Sequence, residues 1–531
     1  MRKLFGVFLF LVFLTDGLRA KELDVVVYGG TPGGIAAAVM AAREGSSVLL
    51  IEPTRHVGGM STSGLTTAET EHMLKWTLGG FADEFYRRLG RHYKLKNDRP
   101  AYEFESYLAE KEFLAMLSEA KVEVCFGAHL EKVEKKGTRI RSLQLTDETT
   151  HAAKVFVDAS YEGDLMAMSG VRSRYGREAR DEYQESFAGI RFDPEPYRAA
   201  PLDTDGQLLS GVKGWRKDFT EGAAHPGVMN YNFRLIATRN PEFRVPFPKP
   251  KNYDPSRYQL LANWLREEGE NLRLGKIIGL YGRRNSKFEM NNRQAAVISL
   301  GHFGGQFNWP AATPKEREAI FEDHLDYTLG FFHFLATEEV VPEKIRKEMQ
   351  EVGLHSGEFA DNGHFPYQLY GREGRRMIGS YVMRQQDVRT ERRKKDSIGM
   401  GSHFIDAHHV QRLAVSPMSF LNEGRIWQKG YAYQIPYRAI TPGKEECSNL
   451  LVPVAASFTH VAYCTLRVEG TWMVTGHASG IAASLAAKEK VPVQEVPVKK
   501  LQAKLKVQKQ VIDFIPGQPE KCEKLNGPPE F

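Results

Sequence analysis

Residues 24–59 read DVVVYGGTPGGIAAAVMAAREGSSVLLIEPTRHVGG, and this stretch decides the fold. Val25, Val26 and Val27 form a short β-branched run suited to a buried parallel strand. Gly29 and Gly30, then Thr31 and Pro32, then Gly33 and Gly34 follow at once, and the Ala-rich segment 35–43 favours a helix. Gly45 closes that helix, and 47–51 predict a second strand that ends on Glu52 and Pro53. Glycines let a backbone approach a pyrophosphate, and a helix N-terminus offers that anion free N–H groups and a positive dipole end. Glu52, 18 residues beyond Gly34, stands where an acceptor for a ribose hydroxyl is expected. The middle glycine of the G-x-G-x-x-G pattern is Thr31 here, whose hydroxyl is available to a phosphate. A second glycine pair, Gly58 and Gly59, with Met60 and Ser61, suits a loop running along a long dinucleotide toward a flavin end, which favours FAD over NAD.

Two distant segments extend this unit. Residues 155–157 form an apolar strand that runs into Asp158, Ala159 and Ser160, and a buried strand ending in small residues is where a parallel sheet meets its ligand. Upstream, 122–126, 130–133 and 140–145 read as a strand meander that brings Leu130 to the same side. Near the other end, 449–454 is a buried strand. A small-residue helix then opens at Thr475, containing Gly476, Ala478, Gly480 and Ile481. Small side chains let a helix start lie against a flat ring, with its dipole facing the negative charge of a reduced flavin. Helices are also expected over 81–91, 103–120, 314–335, 343–351 and 498–511.

The remaining composition narrows the function classes. At 531 residues the chain has room for two or more domains, and 42% hydrophobic with 26% charged residues is ordinary for a globular protein. Residues 1–20 have a basic start and an apolar core too short to span a bilayer, as in an export signal. Three bases against one acid there take +2 of the net +6 and leave +4, too little to argue for nucleic acid. The expected localisation is therefore periplasmic or extracellular, with no membrane span after signal cleavage. The four cysteines are scattered without C-x-x-C, which argues against dithiol chemistry and a zinc knot; free buried thiols are expected.

The combination resembles the bacterial FAD-dependent oxidoreductases, kin of the glutathione-reductase and fumarate-reductase flavoproteins. The resemblance is carried by residues 25–38, by HVGGMSTSGL at 56–65 and by FVDASYEGDLMA at 156–167. It continues through YGREGRRMIGSYV at 370–382, GSHFIDAHHVQR at 401–412 and LRVEGTWMVTGHASGIAA at 466–483. It departs at 66–70, where TTAET replaces the family's usual acid-containing stretch. It implies an α/β protein: a Rossmann-like FAD-binding domain with a parallel sheet and a β-meander, plus an inserted α+β substrate or cap domain. The division expected is signal 1–20, FAD domain 21–175, cap 176–431, FAD domain again 432–510 and a tail 511–531.

A flavin oxidoreductase needs a hydride donor or acceptor and a nearby proton carrier. Candidates are Arg376, which with Arg372 and Arg375 offers bidentate grip on a substrate, and His403, His408 and His460 as bases, with Asp406 to orient one. Glu373 lies among the arginines and offers them a structural pairing instead. The polar stretch 285–292 (NSKFEMNN) suits sugar hydroxyls or a turn. No metal is expected. The expected partners are a small-molecule substrate and an electron acceptor. The expected reaction is hydride transfer between an alcohol-type carbon, in a carbohydrate on the strength of export and a polar, aromatic cap, and FAD. The alternatives are a fumarate-reductase-like C=C reductase of a carboxylic acid and a non-catalytic electron-carrying flavoprotein.

Overall fold

The structure is a computed structural model in which residues 22–269, 272–293 and 296–523 are described. The expected signal segment 1–20 and the end of the expected tail, 524–531, lie outside those residues. The opening unit is β1 (Leu23–Tyr28), α1 (Pro32–Arg43) and β2 (Val48–Glu52). After α2 (Gly80–His92) and α3 (Ser106–Glu119) come β3 (Glu123–Phe126), β4 (Leu130–Lys136), β5 (Arg139–Leu145) and β6 (Thr150–Asp158). β1 lies parallel between β2 and β6, with Val26 opposite Leu49 on one side and Phe156 on the other. The strand Leu450–Leu451 joins the far edge of β6, also in parallel. Two distant parts of the chain thus complete one sheet, as in the expected Rossmann-like unit.

One strand assignment is corrected. Segment 122–126 is not part of the meander; β3 pairs in parallel with β2, Leu50 opposite Val124. The reason is the crossover through α2 and α3, which returns the chain to the sheet in the same direction. The meander is β4, β5 and β6, antiparallel throughout.

A second correction concerns the long C-terminal helix. It spans Glu469–Glu489 and does not open at Thr475. Gly470, Thr471 and Val474 are weak helix formers, but every residue from Glu469 to Ala487 is buried, so packing overrides local preference. This helix crosses α1 closely, because Gly476 faces the Gly33 carbonyl and Gly480 faces that of Ala37. A Cβ at either glycine would fall inside van der Waals contact. Ala478 and Ile481 are buried in the same core.

The cap has its own core. Five antiparallel strands, in the order Arg244–Val245, Gly353–His355, Leu235–Thr238, Phe288–Asn292 and Ile278–Gly282, carry the helices Gln259–Glu268, Pro314–Thr337 and Glu343–Gln350. A smaller sheet of Tyr197–Arg198, Ser419–Glu423, Gln411–Ser416 and Val212–Trp215 lies beside it. Met383, Val388, Ile398 and Ile405, inside the expected cap range, pack instead into the core around β1 and α1. Among the described residues the four cysteines form no disulfide. Among the described residues no helix is long and apolar enough to cross a membrane, and no three His, Cys, Asp or Glu side chains group as metal ligands.

Candidate active site

The turn between β1 and α1 is built for close approach. Gly29 has φ +99°, and a Cβ there would collide with the Ala159–Ser160 backbone. A Cβ on Gly34 would collide with the Gly29 carbonyl. Glu52 is buried and accepts N–H bonds from Gly30 at 2.7 Å and Thr54 at 2.7 Å. Burial raises its pKa, and those donors oppose the rise. Thr31 has a structural task. Its hydroxyl donates to the Ala159 carbonyl at 2.8 Å and accepts the Gly34 N–H at 3.1 Å, capping α1.

A cavity of 610 Å³ opens over this turn. Gly29, Thr31, Glu52, Pro53 and Ser160 line it, as do His129, Tyr161, Glu162 and Asp164. Its opposite wall comes from the cap, with Trp309, Arg317 and Phe321. Asp164 ties the walls together, pairing with Arg317 at 2.5 Å and with Arg375 at 2.8 Å. Leu130 stands behind this wall, its N–H donated to the Tyr28 hydroxyl at 3.2 Å. Asp158 lies beneath it and holds the strand end by accepting from Ser160 and from the Met166 N–H.

The loop from Gly58 turns the chain toward the start of the helix Glu469–Glu489. Gly58 has φ +99° and Gly59 φ +52°, and the Gly58 N–H reaches the Gly30 carbonyl at 2.7 Å. The Tyr161 hydroxyl joins the two elements, accepting from the Met60 N–H at 3.0 Å and donating to Glu469 at 2.6 Å. Burial pushes the Glu469 carboxyl up to about 8, so it is protonated at neutral pH. Ser61 Oγ, Glu469 Oε2 and Thr471 Oγ1 are buried polar atoms without a protein partner. Such orphans at a helix start, facing a glycine loop, fit the polar edge of a flavin ring.

Beyond the helix start lies a second cavity, of 120 Å³, lined by Glu69, Arg234, Asn292, Asp406 and His408, among others. Arg467, just ahead of the helix, connects the two regions. It donates to the Asp406 carbonyl, pairs with the Asp406 carboxylate at 3.2 Å and donates to the Tyr370 hydroxyl at 3.1 Å. Tyr370 in turn donates to Glu69 at 3.0 Å. The arginines hold Glu69 down to about 2, against its burial. Arg234 pairs with Glu69 and Glu289, and Arg283 with Glu289 at 3.0 Å.

A family model described as FAD dependent oxidoreductase matches residues 24–505. The chain belongs to that family. As a member it binds FAD and catalyses a redox reaction, and the glycine turn, Glu52 and the orphaned polar atoms are the residues that fit the cofactor. Digeranylgeranylglycerophospholipid reductase 2 of Methanopyrus kandleri is 29% identical over 171 residues, 30% of this chain. The chain spans 40% of that relative's length. Among solved structures, a geranylgeranyl bacteriochlorophyll reductase-like protein of Thermoplasma acidophilum covers 92% of this chain and 84% of its own, at 13% identity and a TM-score of 0.34. THI4 of Thermovibrio ammonificans covers 30% of this chain and 66% of its own, at 19% identity and a TM-score of 0.21.

The four catalytic candidates fall in different places in this oxidoreductase. His408 lines the small cavity. His403 is buried, its Nδ1 against the Phe404 carbonyl at 2.9 Å and its Nε2 at 4.0 Å from Glu69, and burial holds it near 3. Arg376 and His460 share a closed network. Arg376 pairs with Glu178 at 2.6 Å and Glu373 at 3.1 Å, and His460 Nδ1 meets Glu373 at 2.8 Å. Arg372 donates to the Asn230 carbonyl at 2.6 Å and to Asn232 at 2.5 Å. The arginine cluster is thus spent on protein partners. Sequence reading missed Glu69, Arg234 and Arg467; Glu69 sits in the divergent 66–70 stretch with a left-handed φ of +57°, and that divergence was the available signal.

Proposed function

We propose that this flavoenzyme moves a hydride between an alcohol-type carbon of a neutral, polyhydroxylated small molecule and its FAD. The observation that carries the reading is the charge of the small cavity. Its lining holds three acids, Glu69, Glu71 and Asp406, against two guanidiniums, Arg234 and Arg283, and behind the lining Arg467 is already paired with Asp406 at 3.2 Å. Both guanidiniums already face Glu289. An anionic substrate gains little there, whereas hydroxyls find both donors and acceptors. So polar a lining does not suit the prenyl chains named in the relatives' descriptions.

Proton handling is assigned to His408 and Asp406. The Gly301 N–H donates to Asn292 Oδ1 at 3.0 Å, which leaves Asn292 Nδ2 to donate to His408 Nδ1 at 3.2 Å. Burial, with Arg372 and Arg467 nearby, lowers the His408 pKa, so the ring is neutral. Its proton therefore resides on Nε2, 3.9 Å from Asp406 Oδ1. In the oxidation direction the substrate hydroxyl donates its proton to Asp406, and the neutral His408 ring beside it, with its Nε2–H toward that carboxyl, orients the hydroxyl. Bound FAD supplies the hydride acceptor.

The test is anaerobic addition of sugars, polyols and unsaturated carboxylic acids to the purified yellow protein. Bleaching by a sugar or polyol is expected. Reoxidation of the reduced flavin by an unsaturated acid, with no bleaching by any alcohol, would overturn the reading.

A further inference from the structure

The cap contains a buried cation that nothing described so far uses. Arg412 is the second residue of the strand Gln411–Ser416, four residues beyond His408, and is 4% exposed. Its Nε and Nη2 have no hydrogen-bond partner. The guanidinium lies flat on the Phe303 ring, 3.8 Å from its centroid, and its Nη1 points toward Gly211. Tyr327 is the neighbour that favours its charge, through a side-chain hydrogen bond and its hydroxyl dipole, and no carboxylate does so. Burial lowers the group to about 10, which leaves it charged at neutral pH. A buried guanidinium with no carboxylate to neutralise it is among the costliest arrangements in a protein interior.

The guanidinium borders a small cavity. That cavity is lined by Ser210, Arg257, Tyr258, His302, Tyr327 and Arg412, with apolar side chains, and contains no acid. Asp323, behind the lining, is already shared by Arg257 at 2.8 Å and His302 at 2.7 Å. The balance of charge is therefore positive. The space, 20 Å³, admits about one occupant of water size, too little for a phosphate or sulfate. Ser210 and Tyr327 add hydroxyls to the wall, whereas the Tyr258 hydroxyl already donates to the Tyr327 carbonyl at 2.9 Å.

We propose that this pocket is a halide site, in which one chloride ion neutralises Arg412 and so fixes the strand that leads out of the His408 segment. The ion stands in for the missing carboxylate, and Phe303 shields the pair from water. Because Arg412 lies outside the two cavities of the active site, the ion acts on stability and not on the chemistry.

Two measurements on the FAD-loaded, full chain test this. Crystals soaked in sodium bromide should show an anomalous peak beside the Arg412 guanidinium. In solution, the melting temperature should rise by about 1 °C for each tenfold of bromide above saturation, relative to sodium gluconate at equal ionic strength. Arg412→Met should flatten that dependence. No anomalous peak, or an equal bromide effect in the variant, would overturn the site. Should the variant fail to fold, the wild-type bromide peak alone decides. A halide effect on melting with unchanged sugar oxidation separates this site from the catalytic reading.

Discussion

Gly476, in the middle of the long C-terminal helix, lies against the carbonyl of Gly33 in the first turn of α1. Two segments more than four hundred residues apart in sequence therefore approach backbone to backbone. A methyl group has no room at this crossing. Gly476→Ala should destabilise the protein by about 1–3 kcal/mol through overpacking, read as a lower urea midpoint. Gly137→Ala, where a Cβ meets nothing within 4 Å and φ is +60°, should cost only the backbone strain, about 1 kcal/mol. Equal losses in the two variants would mean that the helix crossing yields easily.

Arg317 reaches from the cap to Asp164 across the mouth of the larger cavity. Arg317→Met opens this clasp while Arg375 continues to neutralise Asp164. A lost charge-assisted hydrogen bond of about 1.5–3 kcal/mol should speed FAD release by about tenfold or more, followed by flavin fluorescence after dilution. An unchanged release rate would show that the cap does not retain the cofactor.

The closed network of Arg376, Glu178, Glu373 and His460 has a pH signature. Glu373 raises the His460 pKa to about 10, from 6.5, against burial. A group raised on folding contributes stability that is complete below 6.5 and is lost as pH rises through 10. The melting temperature should therefore fall between pH 7 and 10, with a slope of up to about 1.4 kcal/mol per pH unit from this one group. His460→Gln should lower stability at pH 7 and remove that slope. Arg376→Met should cost about 3–5 kcal/mol by stranding Glu178 in the interior. A fully stable Arg376→Met protein that binds FAD but does not turn over would instead place the guanidinium in the chemistry.

The dinucleotide unit was legible because each of its parts carries a local signal: β-branched strand, glycine turn, small-residue helix and terminal acid. Thr31 shows the limit of that reading. A hydroxyl in a phosphate loop and a hydroxyl capping a helix look alike in sequence, and only the Ala159 carbonyl, 128 residues away, decides between them. The C-terminal helix start was hidden for a related reason, since Gly470, Thr471 and Val474 weaken local helix preference and only burial on all sides restores it. The three arginines at 372, 375 and 376 look equivalent in the chain. Their separate partners, Asn232, Asp164 and Glu178, come from other elements that sequence spacing does not bring together.

The Asn292–His408 contact yields the most specific prediction about the chemistry. Asn292 is held by the Gly301 N–H on one side, so its amide presents a donor to His408 Nδ1. Asn292→Asp keeps the size but offers an acceptor, which draws the ring proton to Nδ1 and stabilises the imidazolium. The variant should keep its flavin spectrum and lose about 10²-fold in turnover. Its activity should also acquire a new imidazole titration, because burial beside Arg372 and Arg467 keeps the native ring neutral at neutral pH. His408→Gln should lose a similar factor without acquiring the new titration. Full activity in both variants, with sugar oxidation intact, would remove His408 from the proton handling and leave Asp406 with Arg467 as the group to examine.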